Sequence, residues 1–494
     1  MRNAAPMSVD IYHIRKGNIS LVWQISLLGI LLIVGTGLRI YHLAEYSLWT
    51  DEAHSWWLAN LNNSNFFNAI RILGVHPPFY FGLLKSILLV SNENEIGLRT
   101  LSVLAGSASI ILAMLIGMQV GGVAGSLAAG WFWAFNPFVI WYSQEARPYA
   151  LTVFFCLIVT SCYLALSKRS LNILWVITVI ALSAGLLTHY YFFATLLVLV
   201  LASITQIRNN PRFFRSWTIA TIFSLLPVLV WLVWFFMQPN PTLGIGWILQ
   251  PKLADILWTI WNLLSGYAGE LSYASIIFGS LAAILAVIGL VYFSRYRKEL
   301  FFMSILWLFA ILAIWVISIR RPIYMDRYFI VLLPFVVIMI SGGGEQLYFW
   351  TSSRRNNYKH NSSLIVLPLL MIAIGIWSGY QVHLADTFNR EDWKGMMGYL
   401  LSSSQAPILF SDPETEVAFQ YYNDGQMESD IIKQTNLSSD YWWVLRQPYT
   451  MVHAFAQGMS DPNRPWKPEV PDGCQLMDRW ESSSGVAAWK IHCD

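Results

Sequence analysis

The sequence predicts an all-α polytopic membrane protein of about 11 transmembrane helices, with a small α/β domain at its C-terminal end. Three observations carry that prediction. Of 494 residues, 56% are hydrophobic and only 12% are charged, against about 25% charged in an ordinary soluble protein. Apolar stretches of 18 or more residues recur through the first 380 positions, each long enough to cross a hydrocarbon core of roughly 30 Å. From about residue 385 the composition changes to short strand-like runs separated by loops rich in Pro, Gly and Ser.

The N-terminal segment 1–19 is basic and polar, and no small-residue cleavage site follows it, so the first apolar run (20–39) reads as an uncleaved helix. Arg15 and Lys16 precede it, which places residues 1–19 in the cytoplasm by the positive-inside rule. A long polar segment, 41–98, then lies on the outer side. It contains "HPPFYFGLLKSILLV" (76–90), which as a helix would span only about 22 Å and which carries Lys85.

Parity decides whether 76–90 crosses. No charged residue occurs between Arg99 and Glu145, a stretch that fits two crossings joined at "VGGVAG" (120–125). One crossing follows, ending at Lys168 and Arg169, then two more with "THYYF" (188–192) at the turn, ending near Arg208, Arg212 and Arg215. If 76–90 stays at the outer surface, all these basic clusters fall inside; if it crosses, they all fall outside. The charge rule selects the first arrangement. Helices near 216–236 and 272–293 flank an outer loop with "NPTLGIGWILQ", and Arg295, Arg297 and Lys298 lie inside. A helix near 300–318 leads to the outer "IRRPIYMDRY" (319–328); the next ends before Arg354, Arg355 and Lys359, and a last one, near 363–380, leaves the C-terminus outside. The transmembrane domain is thus expected over 20–380 and an extracytoplasmic domain over 385–494.

In that domain "REDWKGMMGYLL" is helix-like, while "APILF", "DYWWVLR" and "VAAWKIH" are strand-like. Cys474 and Cys493 could pair there, in an oxidising compartment, whereas Cys156 and Cys162 sit inside an apolar helix as small core residues. The Asn-x-Ser/Thr match at Asn436 is too common a pattern to use. No basic run suggests nucleic acid.

This topology gathers the unusual polar residues on one face: Asp51, Glu52, His54, His76, Lys85, Glu145, Arg147, His189, Arg320, Arg321, Asp326 and Arg327. Charges beside hydrocarbon are usually paired or functional, and the ordinary reading of each one alone is an interfacial anchor, a helix cap or a surface ion pair. Asp51 and Glu52 are bracketed by Trp49, Trp56 and Trp57, interfacial residues that hold the pair at the membrane. A carboxylate placed there can take a proton from a hydroxyl. "SQEARPYA" (143–150) puts Glu145, Arg147 and Tyr149 around a first-turn proline, and "RRPIYMDRY" supplies three arginines suited to bidentate phosphate binding. No His, Cys or Glu group has a metal-ligand spacing, so no cofactor is firmly predicted, and a divalent metal is left open.

The Asp-Glu pair in the first outer loop, followed by "HPPFYF", "SQEARPYAL" and "RPIYMDRYFI", resembles the GT-C glycosyltransferases over roughly 20–345. More narrowly it is similar to bacterial members of the protein O-mannosyltransferase and aminoarabinose-transferase group. The resemblance implies a sugar donor linked to a polyprenyl phosphate, an acceptor that could be glycan, lipid or protein, and Asp51 as the catalytic base supported by Glu52. Direct displacement with inversion also needs positive charge for the departing lipid phosphate. Arg147, Arg320, Arg321 and Arg327 could supply it, with Lys85 and His76 as further contacts and Glu145, His189, Tyr149 and Asp326 in support. The site would face the outside of the cytoplasmic membrane. A transporter or flippase of lipid-linked sugars is the alternative, though such proteins place their polar groups at midplane on broken helices. A non-catalytic envelope protein that binds a partner through its tail leaves the acidic loop unexplained.

Overall fold

A computed structural model describes residues 21–239, 248–266, 272–353, 363–383, 391–403, 406–410, 413–423, 429–431, 440–446, 470, 473–482 and 486–493. The basic N-terminal segment, part of the 240–250 loop, the cluster Arg354, Arg355 and Lys359, and Asn436 lie outside the described residues.

Helix α1 (Leu21–Ile40) has 20 residues, or about 30 Å of rise. The chain then forms three shorter helices, α2 (Thr50–Asn60), α3 (Asn63–Leu73) and α4 (Phe79–Leu88), before entering α5 (Glu95–Phe135). Arg99, near the start of α5, donates to the carbonyls of Leu43, Tyr46 and Ser47 just beyond α1. The segment therefore leaves and rejoins the bundle at the same end, and α4, only 10 residues long, does not cross it.

Helix α5 is a helical hairpin. Its two arms meet at Gly121 and at Gly122, whose φ of 59° is open to glycine and costly for other residues. The arms then pack so tightly that a Cβ on Gly117 would collide with the Gly125 carbonyl, and the Ser126 hydroxyl donates to Met114 O at 2.9 Å. This is the two-crossing arrangement expected around "VGGVAG". After it come α6 (Pro137–Ser143), α7 (Tyr149–Leu166), α8 (Asn172–Leu186), α9 (Phe192–Ile204), α10 (Gln206–Asn209) and α11 (Pro211–Phe236). Pro137 and Pro211 open their helices behind Asn136 and Asn210, whose side chains accept from free first-turn N–H groups.

Helix α12 (Ala254–Ser265) was not anticipated; the sequence reading treats this stretch as loop. It is an amphipathic helix of 12 residues that buries Asp255, Thr259 and Asn262, one face at helical spacing, against the 3-10 turn Asp326–Leu332. Helices α13 (Tyr273–Tyr296), α14 (Lys298–Ser318), α15 (Leu333–Ser353) and α16 (Ser363–Tyr380) complete the bundle. Among the described residues, seven helices are long and apolar enough to cross a membrane. Counting both arms of α5 and adding the shorter α8, α9 and α16 gives eleven passes among the described residues.

The C-terminal unit contains α17 (Trp393–Ser402), β1 (Ile408–Phe410), α18 (Pro413–Asn423), β2 (Ser429–Ile431), β3 (Tyr441–Arg446), β4 (Cys474–Glu481) and β5 (Val486–Cys493). The sheet order is β2-β1-β3-β5-β4, with β1 parallel to β2 and β3 and β5 antiparallel to β3 and β4. The three expected strands and the expected helix are present; α18, β2 and the mostly exposed edge strand β4 are additions. Cys474 and Cys493 are directly opposed and disulfide-bonded, while Cys156 and Cys162 are buried free thiols. The unit seats on the first loop: the Leu48 N–H donates to the Tyr422 hydroxyl at 2.7 Å, and Lys394 donates to Ala44 O and pairs with Glu95.

Because the described free cysteines are buried, single cysteines at the exposed Asn63, Asn92 and Asn209 report topology cleanly. Positions 63 and 92 should be labelled in intact cells by a thiol reagent that cannot cross the cytoplasmic membrane, and 209 only after permeabilisation. Labelling of 209 together with 63 would overturn the assignment of sides.

Candidate active site

The first turn of α2 presents two adjacent carboxylates about 100° apart around the helix axis, and they go to different places. Glu52 points inward and is fully buried. Its Oε1 and Oε2 accept from Nε and Nη2 of the equally buried Arg99, at 2.8 and 2.7 Å. It also accepts from the Ala146 N–H at 2.7 Å and the Trp49 N–H at 3.4 Å. Arg99 spends its remaining donors on the three carbonyls named above, so the pair is fully hydrogen-bonded, the condition under which a buried ion pair is tolerated.

Asp51 faces the other way. Its side chain is 30% exposed, and its Oδ2 lies 3.5 Å from Arg147 Nη2 and 3.7 Å from Arg327 Nη2. Those separations are longer than charge-assisted hydrogen bonds, at about 2.7–2.9 Å, and fall within ion-pair range. Arg147 also donates to the Asp51 carbonyl at 3.1 Å and meets His76 Nε2 at 2.9 Å. The Arg327 guanidinium lies over the rings of Trp49, Tyr149 and Tyr328, at 5.8, 5.9 and 5.7 Å from their centroids, within cation–π range.

The turn "SQEARPY" builds this wall residue by residue. Gln144 donates to Leu38 O, Arg39 O and Tyr41 O, satisfying terminal carbonyls of α1. The Ser143 hydroxyl accepts from buried Arg39, which also donates to Trp133 O and Ala134 O. The Ala146 N–H goes to Glu52 and Arg147 to Asp51. Glu145 is buried in the same turn, and its carbonyl accepts from the Arg147 N–H at 2.8 Å. On the facing side, Asp326 accepts from the Arg327 N–H and from Asn262 of α12, at 2.7 and 2.9 Å, and so sets where Arg327 starts.

His76 and His189 lie 4.7 Å apart, ring to ring, beside Tyr149. Burial, reinforced by Arg147 and other nearby positive charge, holds His76 well below the ordinary histidine range and His189 down to about 3. Both are neutral at pH 7. Burial opposes the charge on Arg147, but Asp51 beside it raises its pKa, so it stays cationic. Among the described residues, Arg147 Nε, His76 Nδ1, His189 Nε2 and the Tyr149 hydroxyl are buried without a hydrogen-bond partner. Such atoms are costly unless a ligand or water meets them.

The structure thus brings Asp51, Arg147, Arg327, His76, His189 and Tyr149 together, with Glu52, Glu145 and Asp326 behind them. It leaves three sequence candidates elsewhere. Arg320 and Arg321 are exposed at the end of α14. Lys85 donates to Ala59 O and Leu61 O, where it caps α2. No group of three or more His, Cys, Asp or Glu side chains that could hold a metal is found among the described residues. Sequence reasoning missed Arg99, Asn262 and Glu391. Arg99 had a signal, a lone arginine opening an apolar span, which demands a partner. Glu391 had none: it accepts from the Thr50 N–H, the Thr50 hydroxyl and the Trp393 indole at 2.9, 2.7 and 2.8 Å, so the C-terminal unit caps the helix that carries Asp51.

The bundle, the long first loop with its three short helices and the terminal α/β unit together form a fold already known from solved structures. ArnT from Cupriavidus metallidurans has the same fold. In its apo state it aligns with 95% of this chain and 98% of its own at 13% identity and a TM-score of 0.60, and bound to undecaprenyl phosphate with 96% and 98% at 13% identity and 0.57. The Archaeoglobus fulgidus oligosaccharyltransferase in complex with Zn and sulfate aligns over 82% and 62%, at 15% identity and a TM-score of 0.44. No protein-family model and no curated protein matches the sequence.

Two predictions follow from this geometry. Removing one partner of a buried pair strands the other charge, so Glu52→Gln or Arg99→Gln should lower unfolding free energy by about 3 kcal/mol or more. Denaturation in detergent measures it, and an unchanged midpoint would show that the lock is not stabilising. The second concerns His189. Unfolded, it takes a proton near its ordinary 6.5; folded, it does so only near 3. Its contribution is complete above pH 6.5 and is lost as the pH falls from there toward 3. The unfolding midpoint of His189→Gln should therefore fall less than that of the wild type between pH 6.5 and 4.5.

Proposed function

We propose that the protein transfers a sugar from a polyprenyl-phosphate donor to an acceptor hydroxyl, with inversion, at the outer surface of the cytoplasmic membrane. The observation that carries the reading is the partly exposed Asp51 carboxylate held within 3.5 and 3.7 Å of two buried arginines, Arg147 and Arg327. The donor's isoprenoid chain lies in the bilayer and the acceptor comes from water, so the two meet only at the interface, where this cluster is expected to sit. The undecaprenyl phosphate bound to ArnT supports a lipid phosphate as the donor's leaving half.

In this reading Asp51 takes the proton of the acceptor hydroxyl as its oxygen bonds to the anomeric carbon. The carbon–oxygen bond to phosphate breaks, and the electron pair leaves with the lipid phosphate. Arg147 and Arg327 turn from Asp51 to the phosphate as its charge develops, which both stabilises the leaving group and frees the base. Neutral His76 and His189 and the Tyr149 hydroxyl contribute uncharged hydrogen bonds. Glu52 has a structural part: it holds Asp51 in register through Arg99 and the 146–147 turn. Arg320, Arg321 and Lys85 have no part in it. The Cys474–Cys493 disulfide fits a C-terminal unit in an oxidising compartment, on the same side as the site.

Asp51→Asn keeps size and hydrogen bonding but not basicity. It should lower transfer from a polyprenyl-phosphate sugar by about 100-fold or more while donor binding and the unfolding midpoint stay near wild type. Arg147→Gln or Arg327→Gln should instead weaken donor use by roughly tenfold to a hundredfold. Transfer at the wild-type rate by folded Asp51→Asn would remove it as the base.

A further inference from the structure

A polar cavity of about 610 Å³ lies at the end of the bundle opposite Asp51. Helix α7 connects the two ends: Tyr149 is beside the active site, and Lys168, just past Leu166, lines the cavity. The 18 residues of α7 separate them by about 27 Å. The cavity is therefore no extension of the donor site.

Four turns converge on it: the tip of the α5 hairpin, the end of α7, the α9–α10–α11 junction and the α13–α14 junction. Its charged lining is Lys168, Arg297 and Lys298 against Glu299. Arg297 is committed to the fold, since it donates to Val120 O at the hairpin tip and faces Glu345 at 3.6 Å. Lys168 gives one donor to Gln119 O at 2.9 Å and keeps two. Among the described residues Lys298 has no hydrogen-bond or ion-pair partner, and it stands in the first turn of the 21-residue helix α14, where the dipole adds positive potential.

The cavity has an apolar side as well. An adjoining cleft of about 430 Å³ shares Thr205, Asn209, Lys298 and Glu299 with it and is lined beyond them by Ser294, Phe301 and Phe302. Phe302 is exposed, as is Ile204, the chain neighbour of the cleft residue Thr205. A ligand that fills both spaces has an anionic head and an apolar tail.

We propose that this cavity is a binding site for the phosphodiester headgroup of an anionic phospholipid in the leaflet opposite the active site, with an acyl chain lying along Phe301 and Phe302. Basic pockets between transmembrane helices hold such headgroups by charge, each lysine near the surface adding roughly fivefold in affinity. Occupancy would join four junctions that otherwise meet around a space, and would fix the protein's depth in the bilayer.

The test uses the purified, delipidated full-length protein and native mass spectrometry. Phosphatidylglycerol should be retained in preference to phosphatidylcholine of the same chains. Lys298→Gln, an exposed change that leaves the unfolding midpoint alone, should weaken phosphatidylglycerol retention about fivefold, and Lys168→Gln with Lys298→Gln by about 25-fold. Arg320→Gln, exposed at the other end, should not weaken it. Equal retention in wild type and the lysine variants overturns the proposal, as does an equal loss in Arg320→Gln, which would mean general surface charge. Inorganic phosphate alone should bind far more weakly than the lipid; if it binds as well, the cavity takes the free ion and the lipid assignment is wrong. None of these outcomes depends on sugar transfer.

Discussion

The ion pair between Glu52 and Arg99 is the constraint on which the rest of the site depends. Both side chains are out of water, so each hydrogen-bonding position left empty would cost free energy. Filling them takes the carbonyls of Leu43, Tyr46 and Ser47 and the N–H groups of Trp49 and Ala146. One interaction thereby ties the end of α1, the start of α2, the start of α5 and the "SQEARPY" turn together. Asp51 and Arg147 are immediate chain neighbours of residues in that network, and their separation follows from it. A low-dielectric surrounding makes the arrangement stiff, because partial opening leaves buried charge unsatisfied.

Much of the architecture was legible because a bilayer permits few solutions. Every backbone polar group in hydrocarbon must be satisfied internally, so apolar runs of sufficient length become helices, and charge at their ends indicates direction. The glycine pair 121–122 announced the α5 hairpin, and the short, lysine-bearing 79–88 run announced a helix that stays at one end. Helix α12 was less legible. Its single apolar face is interleaved with Asp255, Thr259 and Asn262, which read as loop residues until the turn at 326–332 is seen to cover them.

The site was legible as a set of residues and less so as a set of roles. The Asp51 carboxylate lies within 4 Å of the charged groups of both Arg147 and Arg327, which come from separate motifs. Glu52 reads in the sequence as the supporting neighbour of Asp51, and nothing local announces that its partners are the buried Arg99 and the Ala146 N–H. Arg320 and Arg321 show the converse: proximity in sequence to Arg327 does not carry them to the site, because the chain turns between Arg321 and Asp326 and leaves them exposed beyond α14. Contacts made across hundreds of residues leave no local pattern to read.

The cap on α2 has a consequence for how the molecule is made. Thr50 receives its acceptor from Glu391, 341 positions later. At roughly 5–20 residues per second, a ribosome needs on the order of 20–70 seconds to cover that interval. Throughout that time the helix bearing Asp51 can be inserted and packed, yet its first turn lacks the carboxylate that finishes it. A nascent chain interrupted before the C-terminal unit would hold most of the bundle with the first turn of α2 still lacking that acceptor, so this cap is among the last contacts the chain can form.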